Sequence, residues 1–430
     1  MKKILFVIVL SLFLSNQNSF GAVKVKEFFL SNNIKVLFEK TNNSQAASIK
    51  IFTPVSYSSE KQGQAGISHL TYYSMTISTL DRLREQLNSD IDDIGATITR
   101  DEEAQAAYIG IDFLAPYLDK AVELLSDIII NPAFNEKEID ASKENIKISL
   151  KERQDNISSV AMDKFRSVFY KSTPYAFANL GSIESVNSIK VEDIKDWHKY
   201  AYNSQNIMIS VAGNIEEKVL KKTLEAYFSN VESGEKFEQP SFTLIEPSKP
   251  IFRFTDKFHQ SCIAVSFKAP SLNDKDYAAF VVAVNILGDG MNGRLAKEIR
   301  INSGFTYSIP MLIAALKQNN FTMIISAMDK RNINSALEKI DAILKEISET
   351  PVDLQEVNRV KAKIRSSYLL SNQTVQSKSF NNGWGETVFG NYHYNDNFIK
   401  DIEAVTVESV KSAAKKTFSG QSLTIIIDEK

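Results

Sequence analysis

The sequence predicts an α+β protein of two tandem homologous domains, each an antiparallel sheet flanked by helices. Three observations carry that prediction. The chain has 430 residues, too many for one ordinary domain. Its second half repeats the first. Ser44-Gln-Ala-Ala-Ser-Ile-Lys-Ile-Phe52 aligns with His259-Gln-Ser-Cys-Ile-Ala-Val-Ser-Phe267 at an offset of 215, with Gln45/Gln260 and Phe52/Phe267 identical. Between the copies, Pro240, Pro247 and Pro250 follow Ser233-Gly234-Glu235-Lys236, a linker composition. The expected divisions are residues 23–231, a linker at 232–250, and 251–430.

Further matches keep the same order. Val191-Glu-Asp-Ile-Lys195 aligns with Val407-Glu-Ser-Val-Lys411 at an offset of 216. An apolar strand follows each, at Ile207–Ala212 and Leu423–Ile427. Asn131-Pro132 with Glu138-Ile139 resembles Thr350-Pro351 with Glu356-Val357. Near-constant spacing in matching order marks two copies of one unit of about 200 residues.

Composition narrows the function. Hydrophobic content of 43% and charged content of 24% are those of a globular protein. A net charge of −2 provides no basic field for nucleic acid or an anionic membrane. The single cysteine, Cys262, rules out an intramolecular disulfide and lies in an apolar run, where it reads as a small core residue. At the N-terminus, Met1-Lys2-Lys3 precedes the apolar run Ile4–Leu14, too short to span a bilayer. Ser19-Phe20-Gly21-Ala22 supplies small residues for cleavage. Residues 1–22 are therefore expected to be a signal peptide, and the protein to be exported, most simply to a bacterial periplasm.

The elements read in order as follows. Lys24–Lys40 forms paired edge strands that turn at Asn32-Asn33, and Ala46–Phe52 is a further strand. Gly63–Gly66 leads into a helix carrying His69, and Asp81–Asn88 continues as helix. After a break at Gly95 comes a strand at Ala107–Phe113. Pro116 opens a helix with Leu118, Val122, Leu125 and Ile129 at helical spacing. Asn135–Arg153 is a long charged helix, Val191–Ala201 another, and Asn206–Ala212 a strand.

The His69 helix reads Gly66-Ile-Ser-His-Leu-Thr-Tyr-Tyr-Ser-Met75. It resembles the zinc helix of the insulinase/pitrilysin-type peptidases, the inverzincins, which carry His-x-x-Glu-His there. Two His one helical turn apart bind zinc and the Glu activates water. Here the first His is His69, the base position is Tyr72 and the second ligand position is Tyr73. Aligning Leu150-Lys-Glu-Arg-Gln-Asp155 with the family pattern places the third ligand position at Ser149. The resemblance implies a two-domain fold of the mitochondrial-processing-peptidase kind and a non-catalytic member of that branch. One neutral imidazole cannot hold zinc against water, and a phenol is not a useful base near neutral pH. No metal or cofactor is expected in this chain.

The most specific match lies in the second half, Leu287-Gly-Asp-Gly-Met-Asn-Gly-Arg294 through Arg300, Gly304 and Tyr307. The resemblance implies that Arg300 and Tyr307, seven positions apart, face a zinc site and contact substrate backbone. Arg300 is expected in the last turn of a short helix and Tyr307 on the strand that doubles back. In a dimer of two-domain chains such a pair serves the other subunit. The expectation is a non-catalytic subunit of a heteromeric zinc peptidase. Its partner would be an active zinc-peptidase paralogue, its substrate a peptide, and the zinc would be held by the partner. The alternatives are a stand-alone binding or assembly protein with a dead protease fold, or a peptidase with altered chemistry.

Overall fold

Alternating apolar residues build two sheets in the computed structural model, which describes residues 25–42, 44–61, 63–244 and 250–430. The leader expected at 1–22 and part of the expected linker lie outside the described residues. The first sheet comprises β1 (Lys26–Phe29), β2 (Lys35–Lys40), β3 (Ala46–Thr53), β4 (Thr97–Glu103), β5 (Ala106–Leu114) and β6 (Met208–Gly213). Its spatial order is β1-β2-β6-β3-β5-β4. The second comprises β7 (Ile251–Asp256), β8 (Ser261–Lys268), β9 (Met311–Ile313), β10 (Phe321–Met328) and β11 (Leu423–Glu429), ordered β7-β11-β8-β10-β9.

The two orders are the same pattern, β2, β6, β3, β5, β4 matching β7, β11, β8, β10, β9. Only β1 is extra. The aligned runs at Ser44–Phe52 and His259–Phe267 become the central strands β3 and β8. Both sheets are mainly antiparallel, but β2 with β6 and β7 with β11 pair parallel. Hence β2 is an interior strand, not the edge strand expected from its hairpin with β1. The closing strand of the repeat returns through helices and inserts beside it.

The helices are α1 (Ile67–Met75), α2 (Arg84–Asp93), α3 (Leu118–Ile130), α4 (Glu136–Gln154), α5 (Ile157–Phe169), α6 (Ile183–Ser188), α7 (Val191–Ala201) and α8 (Glu217–Phe228) in the first half. In the second they are α9 (Tyr277–Gly288), α10 (Ile333–Glu349), α11 (Leu354–Ser371), α12 (Val375–Phe389), α13 (Tyr394–Ala404) and α14 (Val407–Phe418). Asn135 caps α4 by accepting from Lys137 N–H. The helix expected at Asp81–Asn88 starts at Arg84, because Thr79 and Arg82 close a turn before it.

The central strands β3 and β8 are buried on both faces. In β3, Ile49 and Ile51 join the core formed with Leu70, Met75, Val122 and Leu125, while Phe52 faces the other way. That other face is covered from the opposite half of the chain. From α12, Phe380 and Trp384 pack with Phe52 and Tyr108. Ser379 bonds Ser48 at 2.8 Å, and Lys378 and Asn382 reach Glu39. In exchange, α5 covers the second sheet, where Phe165 and Phe169 meet Phe321 beside buried Cys262. Each half thus closes the other.

Candidate functional site

The first group of residues sits on α1. Gly66 adopts φ +94°, a conformation glycine takes without strain, and a side chain there would meet the Leu180 carbonyl oxygen at 2.7 Å. The carboxylate of Glu60 accepts from Gly66 N–H and Ser68 N–H, satisfying donors at the helix start. Ile67, Leu70, Thr71 and Met75 bury one face. His69 is thereby held at the helix surface, with 16% of its side chain exposed.

His69 Nδ1 and the Tyr72 hydroxyl share a hydrogen bond of 3.0 Å, with the rings edge to face. Burial, and then Arg100, push the imidazole down to about 4, so His69 is neutral near neutral pH. Burial, with Glu102 nearby, raises the Tyr72 hydroxyl above its ordinary range. Tyr73 stacks on His69, ring centroids 6.4 Å apart at 15°, and the Arg100 guanidinium lies 4.3 Å from the Tyr73 ring centre. Ser149 is exposed on α4.

Arg100 and Glu102 escaped the sequence reading. Glu102, on β4, places Oε2 3.8 Å from His69 Nδ1 with none of its side chain exposed. It accepts from Tyr57 N–H at 3.1 Å. Burial pushes its carboxyl up to about 8, against the pull of the Ser68 hydroxyl and the Tyr57 N–H. The signal available was Arg100-Asp-Glu-Glu103, a charged run on a strand, of which only Glu102 is fully buried.

The second group lies past α9. Ala296–Asn302 forms a π-helical turn that ends at Gly304, φ +65°, whose N–H bonds the Arg300 carbonyl. Tyr307 then lies in a loop, 83% exposed, not on the expected strand. The strand begins only at Met311, because Pro310 has no N–H to extend the ladder. Thr306 ties the loop down by donating to the Ala327 carbonyl at 2.7 Å. The Arg300 guanidinium lies 4.6 Å from the Tyr307 ring centre. No hydrogen bond, ion pair or ring contact joins this pair to the His69 group among the described residues.

Two family profiles match the chain. Insulinase (Peptidase family M16) covers residues 35–181, and the Peptidase M16 inactive domain covers 188–364. The chain belongs to the insulinase (M16) peptidase family. An uncharacterized zinc protease of Rickettsia felis is 26% identical over 403 residues, covering 93% of this chain and 96% of that one. A non-peptidase homolog, YmxG, of Helicobacter pylori is 21% identical, covering 99% and 98%. Among solved structures, a peptidase M16 inactive domain from Pseudomonas fluorescens superposes with a TM-score of 0.87 at 18% identity, covering 95% and 98%. A protease from Helicobacter pylori gives 0.86 at 16%, covering 94% and 99%, so the fold is shared.

The M16 zinc does not fit the residues present. A hydrolytic zinc takes three His or carboxylate ligands and leaves one position for water. The residues expected at the ligand positions are His69, Tyr73 and Ser149. The Tyr72 hydroxyl is engaged with His69, and a guanidinium cation lies on Tyr73. Among the described residues, no three His, Cys, Asp or Glu side chains come together as a metal-binding group. His198 serves structure, its Nε2 bonded to the Ile129 carbonyl at 2.8 Å.

Proposed function

We propose that this chain is the non-catalytic subunit of an exported heteromeric zinc peptidase. It lends Arg300 and Tyr307 to the zinc site of an active paralogue. The observation that carries the reading is this pair. Among the described residues Arg300 has no carboxylate within ion-pair distance, and its guanidinium lies on a phenol that is 83% exposed. A protein that served only as a scaffold has no use for an outward-facing cation and phenol.

Both groups are hydrogen-bond donors. They suit a peptide carbonyl oxygen that gains negative charge as water adds to it. The π-helical turn and Gly304 aim Arg300, and the Thr306 tie aims Tyr307. This chain alone then cleaves no peptide. The basic and apolar leader supports export, and no helix of the described residues is long and apolar enough to cross a membrane.

The test is to purify the chain from its native host, identify the paralogue that accompanies it, and reconstitute the pair. The complex is expected to cleave peptides faster than either chain alone. Arg300→Ala should lower kcat by on the order of 10²–10³ while leaving the complex and the paralogue's zinc content intact. Full activity from an Arg300→Ala, Tyr307→Phe double variant in a well-formed complex would make the chain a scaffold. Cleavage by this chain alone would make it a peptidase with altered chemistry.

A further inference from the structure

The chain has eleven arginines, and eight have a carboxylate within 4.0 Å. The exceptions are Arg100, Arg166 and Arg300. Arg166 turns toward the Phe177 carbonyl, and Arg300 belongs to the pair described above. Arg100 is half-buried on β4, where one Nη donates to the Thr76 hydroxyl at 2.7 Å. Its guanidinium rests on Tyr73 and keeps further N–H donors that no acceptor among the described residues takes. Glu102 lies on the same face of the strand, yet beyond ion-pair distance and bonded to Tyr57 instead.

A half-buried guanidinium with free N–H donors is suited to a carboxylate, which it can take through two parallel hydrogen bonds. The place is specific. In M16 enzymes this position of α1 holds a ligand for a cation; here a cation of the protein covers it. Beside it, β4 pairs only with β5, so its outer row of backbone N–H and C=O groups has no strand partner. We propose that the vacated zinc pocket is a carboxylate site, in which Arg100, stacked on Tyr73 beside His69, takes the C-terminal carboxylate of an extended peptide.

This inference is independent of the paralogue, because it is measured on this chain alone. Calorimetric titration would use three probes: N-acetyl-tetraalanine with a free carboxylate, its C-terminal amide, and the amide N-acetyl-Ala-Asp-Ala-Ala-NH2. The free acid is expected to bind, and the tetraalanine amide to bind at least about tenfold more weakly. Arg100→Met should remove that preference and Arg100→Lys, which keeps charge without the planar fork, should reduce it. Arg331→Met, at an exposed arginine paired with Asp329, should leave binding unchanged. Circular dichroism and a melting curve establish that each variant is folded.

Equal binding of acid and amide overturns the proposal, as does an unchanged preference in folded Arg100→Met. Tighter binding of the Asp-containing amide would assign the site to acidic side chains and overturn the C-terminal reading. Absence of binding by all three probes also overturns it.

Discussion

Glu102 and His69 respond oppositely to pH. Glu102 has its folded pKa raised from 4.5 to about 8, so the folded chain holds a proton that the unfolded chain has lost. Its contribution therefore falls as pH rises through that window and levels off above it. His69 has its folded pKa lowered from 6.5 to about 4, so stability rises with pH between those values and is flat above 6.5. Between pH 6.5 and 8 only the Glu102 slope remains of these two, worth about 2 kcal/mol over the window. Glu102→Gln is expected to flatten that decline. Urea melts at pH 6.5 and 8 check it, and an equal decline in the variant would remove Glu102 as its source.

At the scale of elements, α12 is a helix that its own residues barely support. It contains Gly383, Gly385, Asn381 and Asn382, poor formers in a helix interior. What holds it is the first sheet. Gly383 lies so close to Phe52 that an added Cβ would fall 2.1 Å from the ring. Gly383→Ala should improve intrinsic helix propensity and still destabilise the protein, by about 1–3 kcal/mol from overpacking. A thermal melt decides the sign; an unchanged or raised Tm would mean that α12 shifts without cost. No element was expected at Ile157–Phe169 or Val375–Phe389. Each is covered by the sheet of the other half, and in Val375–Phe389 local periodicity is weak, though Val160, Ala161, Phe165 and Phe169 do recur at helical spacing.

At the scale of the molecule, the exchange of α5 and α12 bears on how the halves are joined. The stretch 232–244 has no regular structure and most of it is exposed. Yet Asn203 and Asn206 hold the Glu235 carbonyl, and Asn319 holds that of Phe242. Limited proteolysis is expected to cut first between Glu238 and Pro250 and to give two fragments of similar size. Because each half covers a face of the other's sheet, the fragments should remain together in gel filtration and separate only on denaturation. Early cuts inside either half would contradict the expected division. Separation of the fragments under native conditions would contradict the exchange.

The sequence alone determined the duplicated α+β plan, because strand and helix periodicity is local and the offset of 215 recurs across the central strands. It also showed that the His69 helix reads His69-Leu-Thr-Tyr72-Tyr73 in place of His-x-x-Glu-His, since ligand chemistry is written in residue types. Cys262 was legible as core from its apolar run, and it is buried. Tertiary structure decided what depends on distance. It inserted β6 beside β2, turned Glu102 inward toward His69, and laid Arg100 over Tyr73 from a strand 27 positions away. It also set Tyr307 in an exposed loop, where the absence of an N–H at Pro310 delays the strand. Sequence spacing fixes which residues share an element; only packing between elements fixes which charges meet, and which are left without a partner.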